Sequence, residues 1–116
     1  MVEPQERTFR NPQGAPRVTA RVADGFRLRL RGLMFRKCWP EGWEGLYFPD
    51  CSVVHTGWMR LRPDLVFLDD RGRVTGVIHS AGRWRIFRGP PGSRHTLELP
   101  EGALSAAGIR PGETLA

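Results

Sequence analysis

Cys51 and His55 stand four residues apart in CSVVHT, with Thr56 beside the imidazole. A thiol held against an imidazole loses its proton more readily and becomes a nucleophile, and Thr56 would orient the ring. The same residues have a quieter use, Cys51 as a small core residue and His55 as the donor to a backbone carbonyl. No oxyanion donor or third member can be identified, so the quieter use is favoured. No residue is assigned to catalysis, Cys51 and His55 being held as candidates, and the chain is read as a binding protein before an enzyme.

Other reactive side chains lack partners in the same way. Cys38, Cys51, His55, His79 and His95 show neither C-x-x-C nor H-x-x-x-H spacing, the close pairs that zinc commonly uses, so no metal site and no cofactor are expected. Asp64 follows Pro63 and precedes an apolar run. A carboxylate there either has a raised pKa and works as an acid or base, or caps a turn. Asp69 and Asp70 belong to a turn, so no second carboxylate completes a hydrolytic pair.

The aromatic residues are more suggestive. Trp39 and Trp43 lie in CWPEGWEG, a loop rich in Pro and Gly, and are expected to be exposed; Trp58 and Trp84 flank the central hairpin, where stacking and core packing are both open. Residues 83–94, RWRIFRGPPGSR, combine Arg83, Arg85, Arg88 and Arg94 with two aromatics and a Gly-Pro-Pro-Gly turn. Interleaved arginines and aromatics suit single-stranded RNA or DNA, each stacked base contributing roughly 1–3 kcal/mol. An edge strand has the same alternation and uses arginine against aggregation, which is the plainer reading.

The elements that must hold these residues are short. With 116 residues, 40% hydrophobic and 26% charged, the chain is long enough for one domain with its own core. Arg17–Ala23 alternates β-branched residues after the turn-rich NPQGAP and forms a hairpin with Arg7–Arg10. Leu46–Phe48 is a short strand, and LVFL (65–68), DDRGR and VTGVIH (74–79) make a hairpin with Gly72 at a position needing positive φ. TLEL (96–99) is a strand with Glu98 outward. Glu101–Ala107 is a short helix closed by Gly108. The pattern predicts an all-β, mainly antiparallel fold, a compact sandwich or barrel-like single domain over 1–116 with one or two short helices, residues 1–17 being an N-terminal extension or hairpin.

The net charge is +6, and seventeen of the eighteen cations are arginine, spread along the chain. There is no charged-then-apolar leader and no apolar run near the ~18 residues that span a bilayer. A cytoplasmic protein with two thiols and no membrane partner is expected, as a monomer or weak homodimer. FRLRLRGLMF, Phe26 to Phe35, fits both periods: a strand with Arg27, Arg29 and Arg31 on one face, or a helix with Phe26, Leu30, Leu33 and Met34 on one face.

Arg31-Gly32-Leu33-Met34, CSVVHTGWM (51–59), Asp64 with Phe67-Leu68-Asp69, Gly72-Arg73-Val74, LELPEG (97–102), Gly108-Ile109 and Gly112 occur in an order that resembles a bacterial and archaeal family, domain of unknown function 192 (DUF 192), from about Val18 onward. The chain is most similar to the subset with Cys-x-x-Val-His-Thr and a Trp-Arg after the hairpin, here Trp84-Arg85. The resemblance implies a compact antiparallel β-domain and no assigned activity, and it favours the helix for FRLRLRGLMF, lidding the barrel. The expected function is recognition of a small polar or anionic ligand near the central hairpin by His55, Thr56, Trp58, Met59, Arg60, Asp64, Trp84 and Arg85. Nucleic-acid binding through 83–94 is the alternative, and Cys51/His55 chemistry the second.

Overall fold

The computed structural model describes residues 5–23, 38–57 and 60–116. The segment FRLRLRGLMF, and with it the choice between helix and strand, lies outside the described residues. Six strands form one sheet: β1 (Glu6–Arg10), β2 (Pro16–Val22), β3 (Gly45–Phe48), β5 (Asp64–Leu68), β6 (Val74–Ile78) and β8 (His95–Leu99), in the order β1-β2-β3-β8-β5-β6. Every pairing is antiparallel except β2 with β3. β4 (Val53–His55) and β7 (Ile86–Arg88) form a separate two-stranded ribbon. The one helix among the described residues, α1 (Ala103–Ala107), ends on Gly108 in the left-handed region.

Turn chemistry places these strands. In the β5–β6 hairpin the Asp69 carboxylate accepts the N–H groups of Arg71 and Arg73, both at 2.9 Å, and these bonds hold it below the usual carboxylate range. Gly72 sits at φ 84°, where a side chain would also strike the Leu115 carbonyl at 2.4 Å. The sheet curls without closing into a barrel. Its two edges are linked by the last residues, Thr114 bridging to Arg73 and Ala116 exchanging two backbone hydrogen bonds with Arg10.

Side chains alternate across the central strands. The inner face gathers Phe9, Val18, Tyr47, Val66, Leu68, Leu97, Leu99 and Leu104 into the main core. The opposite face carries Leu46, Phe48, Leu65 and Phe67, covered by the Trp39–Trp43 loop and by Val54 and Phe87 of the ribbon. Sheet and cover are the two layers of the fold.

This second layer corrects two expectations. Glu98, expected to face outward, is 4% exposed, because it shares the covered face with Leu46 and Leu65, its register partners on the two flanking strands. Trp39 and Trp43 are half-buried against Ala23, Leu46 and Phe48, with the Trp39 indole N–H donating to the Trp43 carbonyl and the Arg21 guanidinium 4.9 Å from the Trp43 ring. Their loop is rich in Pro and Gly because it folds tightly onto the sheet, not because it stands free.

Candidate functional site

Asp64 opens β5 and is 1% exposed, on the same face as its register partner Leu99. Its Oδ1 accepts the Ser80 N–H at 2.8 Å, and its Oδ2 accepts the Gly102 and Leu104 N–H groups, both at 3.0 Å. One carboxylate therefore ties the end of β6 to the entry of α1, taking up N–H groups that a helix start leaves without partners. Gly102, at the N-cap position, offers no side chain for this. The Ser80 hydroxyl hydrogen-bonds Glu101, closing a second link between the same two segments.

Next to this junction lies a cleft of about 390 Å³ lined by Trp39, Arg60, Leu61, Arg62, Pro63, Pro100 and Glu101. Its floor is made of prolines and of side chains packed on the sheet: Leu61 and Trp39 both rest on the cluster containing Leu46 and Phe48. Arg60 and Arg62 are exposed. Among the described residues neither has an ion-pair partner. Two guanidinium groups, one indole and one carboxylate thus surround a volume within the usual range for small-ligand sites, ~300–1,000 Å³.

His55, Thr56, Trp84 and Arg85 come together elsewhere, at one end of the ribbon. Thr56 is buried; its hydroxyl donates to the Gly82 carbonyl at 2.6 Å and accepts the Arg85 N–H at 3.0 Å. His55 and Trp84 both lie against Gly57, where an added Cβ would meet the imidazole at 3.4 Å and the indole at 3.8 Å. Trp58 and Met59 lie outside the described residues. Cys51 does not approach His55: its thiol donates to the Val53 carbonyl at 3.2 Å and packs inward, while His55 is exposed on the outer side. Among the described residues no group of three or more His, Cys, Asp or Glu is placed to hold a metal ion. No helix there is long and apolar enough to cross a membrane.

The expected pocket is therefore divided between two places. Arg60 lies in the cleft, Asp64 follows the lining residue Pro63 without lining the cleft itself, and His55, Trp84 and Arg85 lie at the ribbon with Arg83 and Arg88. Arg94 is exposed and pairs with Asp50 at 3.3 Å. Sequence reasoning singled out Trp39 for its loop but not for this cleft, and did not single out Arg62 or Glu101; the three share no motif and meet only through the fold. Glu98 is a further omission, for burial pushes its pKa up to about 8.

The model of the family described as "DUF192: Uncharacterized ACR" matches residues 8–116. The chain belongs to the DUF192 family. No curated protein matches it. Among solved structures it is similar to a protein of unknown function from Novosphingobium aromaticivorans DSM 12444, with TM-score 0.77, 20% identity, and 99% of this chain and 86% of the other covered. It is also similar to a "putative transcription regulator" from Sinorhizobium meliloti 1021, with TM-score 0.78, 20% identity, and coverage of 100% and 96%. At this identity the two solved structures establish a shared fold alone.

Proposed function

We propose that this DUF192 domain is a binding module whose cleft takes a small anionic ligand. The observation that carries the reading is the presence of Arg60 and Arg62, without ion-pair partners among the described residues, on a cleft of about 390 Å³ beside the Trp39 indole. Guanidinium groups bind carboxylate and phosphate through two parallel N–H donors, and an indole face adds apolar contact. In this reading Asp64 builds the site without touching the ligand, because its oxygens already accept three backbone N–H groups. Glu101 fills the remaining polar corner and favours a ligand carrying a donor next to its anionic group.

The test is thermal denaturation with inorganic phosphate, citrate and a nucleoside monophosphate, followed by calorimetry on whichever raises Tm. A ligand at one hundred times its Kd adds about 2.7 kcal/mol to stability. The double variant Arg60→Ala/Arg62→Ala is expected to bind at least ~10-fold more weakly, the loss of a charge-assisted contact. No Tm rise with any of the three at millimolar concentration, or equal affinity in the double variant, sinks the reading. A second reading, contact with nucleic acid, rests on a separate surface, the β4–β7 ribbon.

A further inference from the structure

The ribbon has one inward and one outward side. Val54 and Phe87 are cross-strand partners and pack on Leu65 and Phe67 of the sheet. Val53, His55, Ile86 and Arg88 therefore point outward, and among the described residues β4 and β7 each keep one edge without a strand partner. Ile86 is 76% exposed, Trp84 59% and Val53 41%, the large hydrophobic residues most open to solvent among those described.

Two features distinguish this face from an ordinary protective edge. The first is charge: residues 51–63 and 71–97, which include both strands, contain no Asp or Glu, while Arg83, Arg85 and Arg88 cluster at β7. The neighbouring acid Asp50 is engaged with Arg94. The second is the way Trp84 is presented. It sits at φ 59°, a left-handed conformation unfavourable for a bulky residue. Buried Thr56 holds it there, its backbone bonding Trp84 and Arg85 and its hydroxyl bonding Gly82 and Arg85. A turn clamped from below that presents an exposed indole next to Gly57, between Arg83 and Arg85 in sequence, is a candidate stacking platform.

We propose that the outer face of the ribbon binds single-stranded nucleic acid, with Arg83, Arg85 and Arg88 on backbone phosphates and Trp84, flanked by His55, on an unpaired base. Charge complementarity selects a polyanion, and an exposed ring selects accessible bases over the paired bases of a duplex. The recognition is independent of sequence, since every base has a π-face.

The probes are fluorescently labelled oligo(dT) and oligo(U) of ~20 nucleotides and a duplex of equal length, followed by anisotropy as salt is raised. The single strands are expected to bind at least ~10-fold tighter than the duplex, with log K falling against log salt at a slope near −2, or three phosphates at ~0.7 each. Arg85→Ala/Arg88→Ala should flatten that slope by about 1.4. Trp84→Asn, whose side chain tolerates the left-handed backbone and so preserves the turn, should lower single-strand affinity ~10-fold and leave the slope unchanged. Circular dichroism confirms that each variant is folded. Absence of binding at low salt overturns the proposal. Equal affinity for duplex and single strand, or a Trp84→Asn variant that binds like the parent, does the same by reducing the face to a nonspecific basic surface. Self-association that Trp84→Asn abolishes, with no oligonucleotide bound, assigns the face to a second copy of the chain and also overturns it.

Discussion

The two faces of the six-stranded sheet each bury a carboxylate, on neighbouring strands, and surround it in opposite ways. On the inner face Asp64 receives three backbone N–H groups from two different segments. On the outer face Glu98 lies between Leu46 and Leu65, and among the described residues nothing donates to it. Burial is nearly equal, 1% and 4% exposed. The difference lies in the donors, and it decides whether a buried acid strengthens the fold or weakens it.

Removing the better-supported acid should have the larger effect. Asp64→Ala leaves three N–H groups without an acceptor beside a helix start, at a cost of about 4 kcal/mol, with Asp64→Asn intermediate because one oxygen survives. Chemical denaturation measures this directly. The cleft should be lost with it, since Pro63, Pro100 and Glu101 adjoin the segments that Asp64 joins. A variant within about 0.5 kcal/mol of the parent would show that the carboxylate is dispensable to the scaffold.

Glu98 should show itself through pH. Its folded pKa, about 8 against an ordinary 4.5, is raised, so the folded state holds a proton that the unfolded state has released between those values. Stability contributed by the neutral acid is thus full below pH 4.5, declines as pH rises through that window and levels off above about 8. Glu98→Gln removes the titration. Relative to the parent it should gain stability on the order of 3 kcal/mol between pH 5 and pH 9. Parallel pH profiles for the two proteins would mean that Glu98 is solvated or paired in solution.

The contrast also marks how far the sequence can be read. Alternation in RVTARV, the run LVFL and the turn DDRGR place β2, β5 and β6 with little ambiguity, because each pattern matches one period and one turn type. TLEL fits that logic equally well and misleads. Period-two alternation assigns a glutamate to water, yet β8 lies between β3 and β5, and its second face is covered by the ribbon and the tryptophan loop. That cover consists of three-residue strands and irregular chain, which carry almost no local signal. The same cause divides the expected pocket: residues 55–64 are close in sequence, but β4 turns outward into the ribbon while β5 enters the sheet. Asp64 was legible as either a cap or an acid, and only the positions of Ser80, Gly102 and Leu104 separate the two.

A third carboxylate sharpens the rule by relaxing burial while keeping the donors. Glu113 is about a third exposed; it accepts the Arg110 N–H at 2.6 Å and pairs with Arg17 at 3.1 Å. These bonds, the backbone one first, hold its pKa below the ordinary value, the reverse of Glu98. Arg17 also donates to the Ala107 carbonyl at 2.8 Å, joining the end of α1 to the C-terminal segment. Because water screens the pair, Arg17→Ala should cost only about 0.5 kcal/mol at neutral pH. The sign is opposite to that of Glu98: a lowered folded pKa contributes stability above the unfolded value and loses it as pH falls through the folded one. The effect of Arg17→Ala on urea denaturation should therefore be visible at pH 7 and shrink as the solution is acidified toward pH 3, where protonated Glu113 no longer attracts a cation. A loss that persists unchanged at the lower pH would assign the contribution of Arg17 to its bond with Ala107, and donors alone would not explain how this fold ranks its acids.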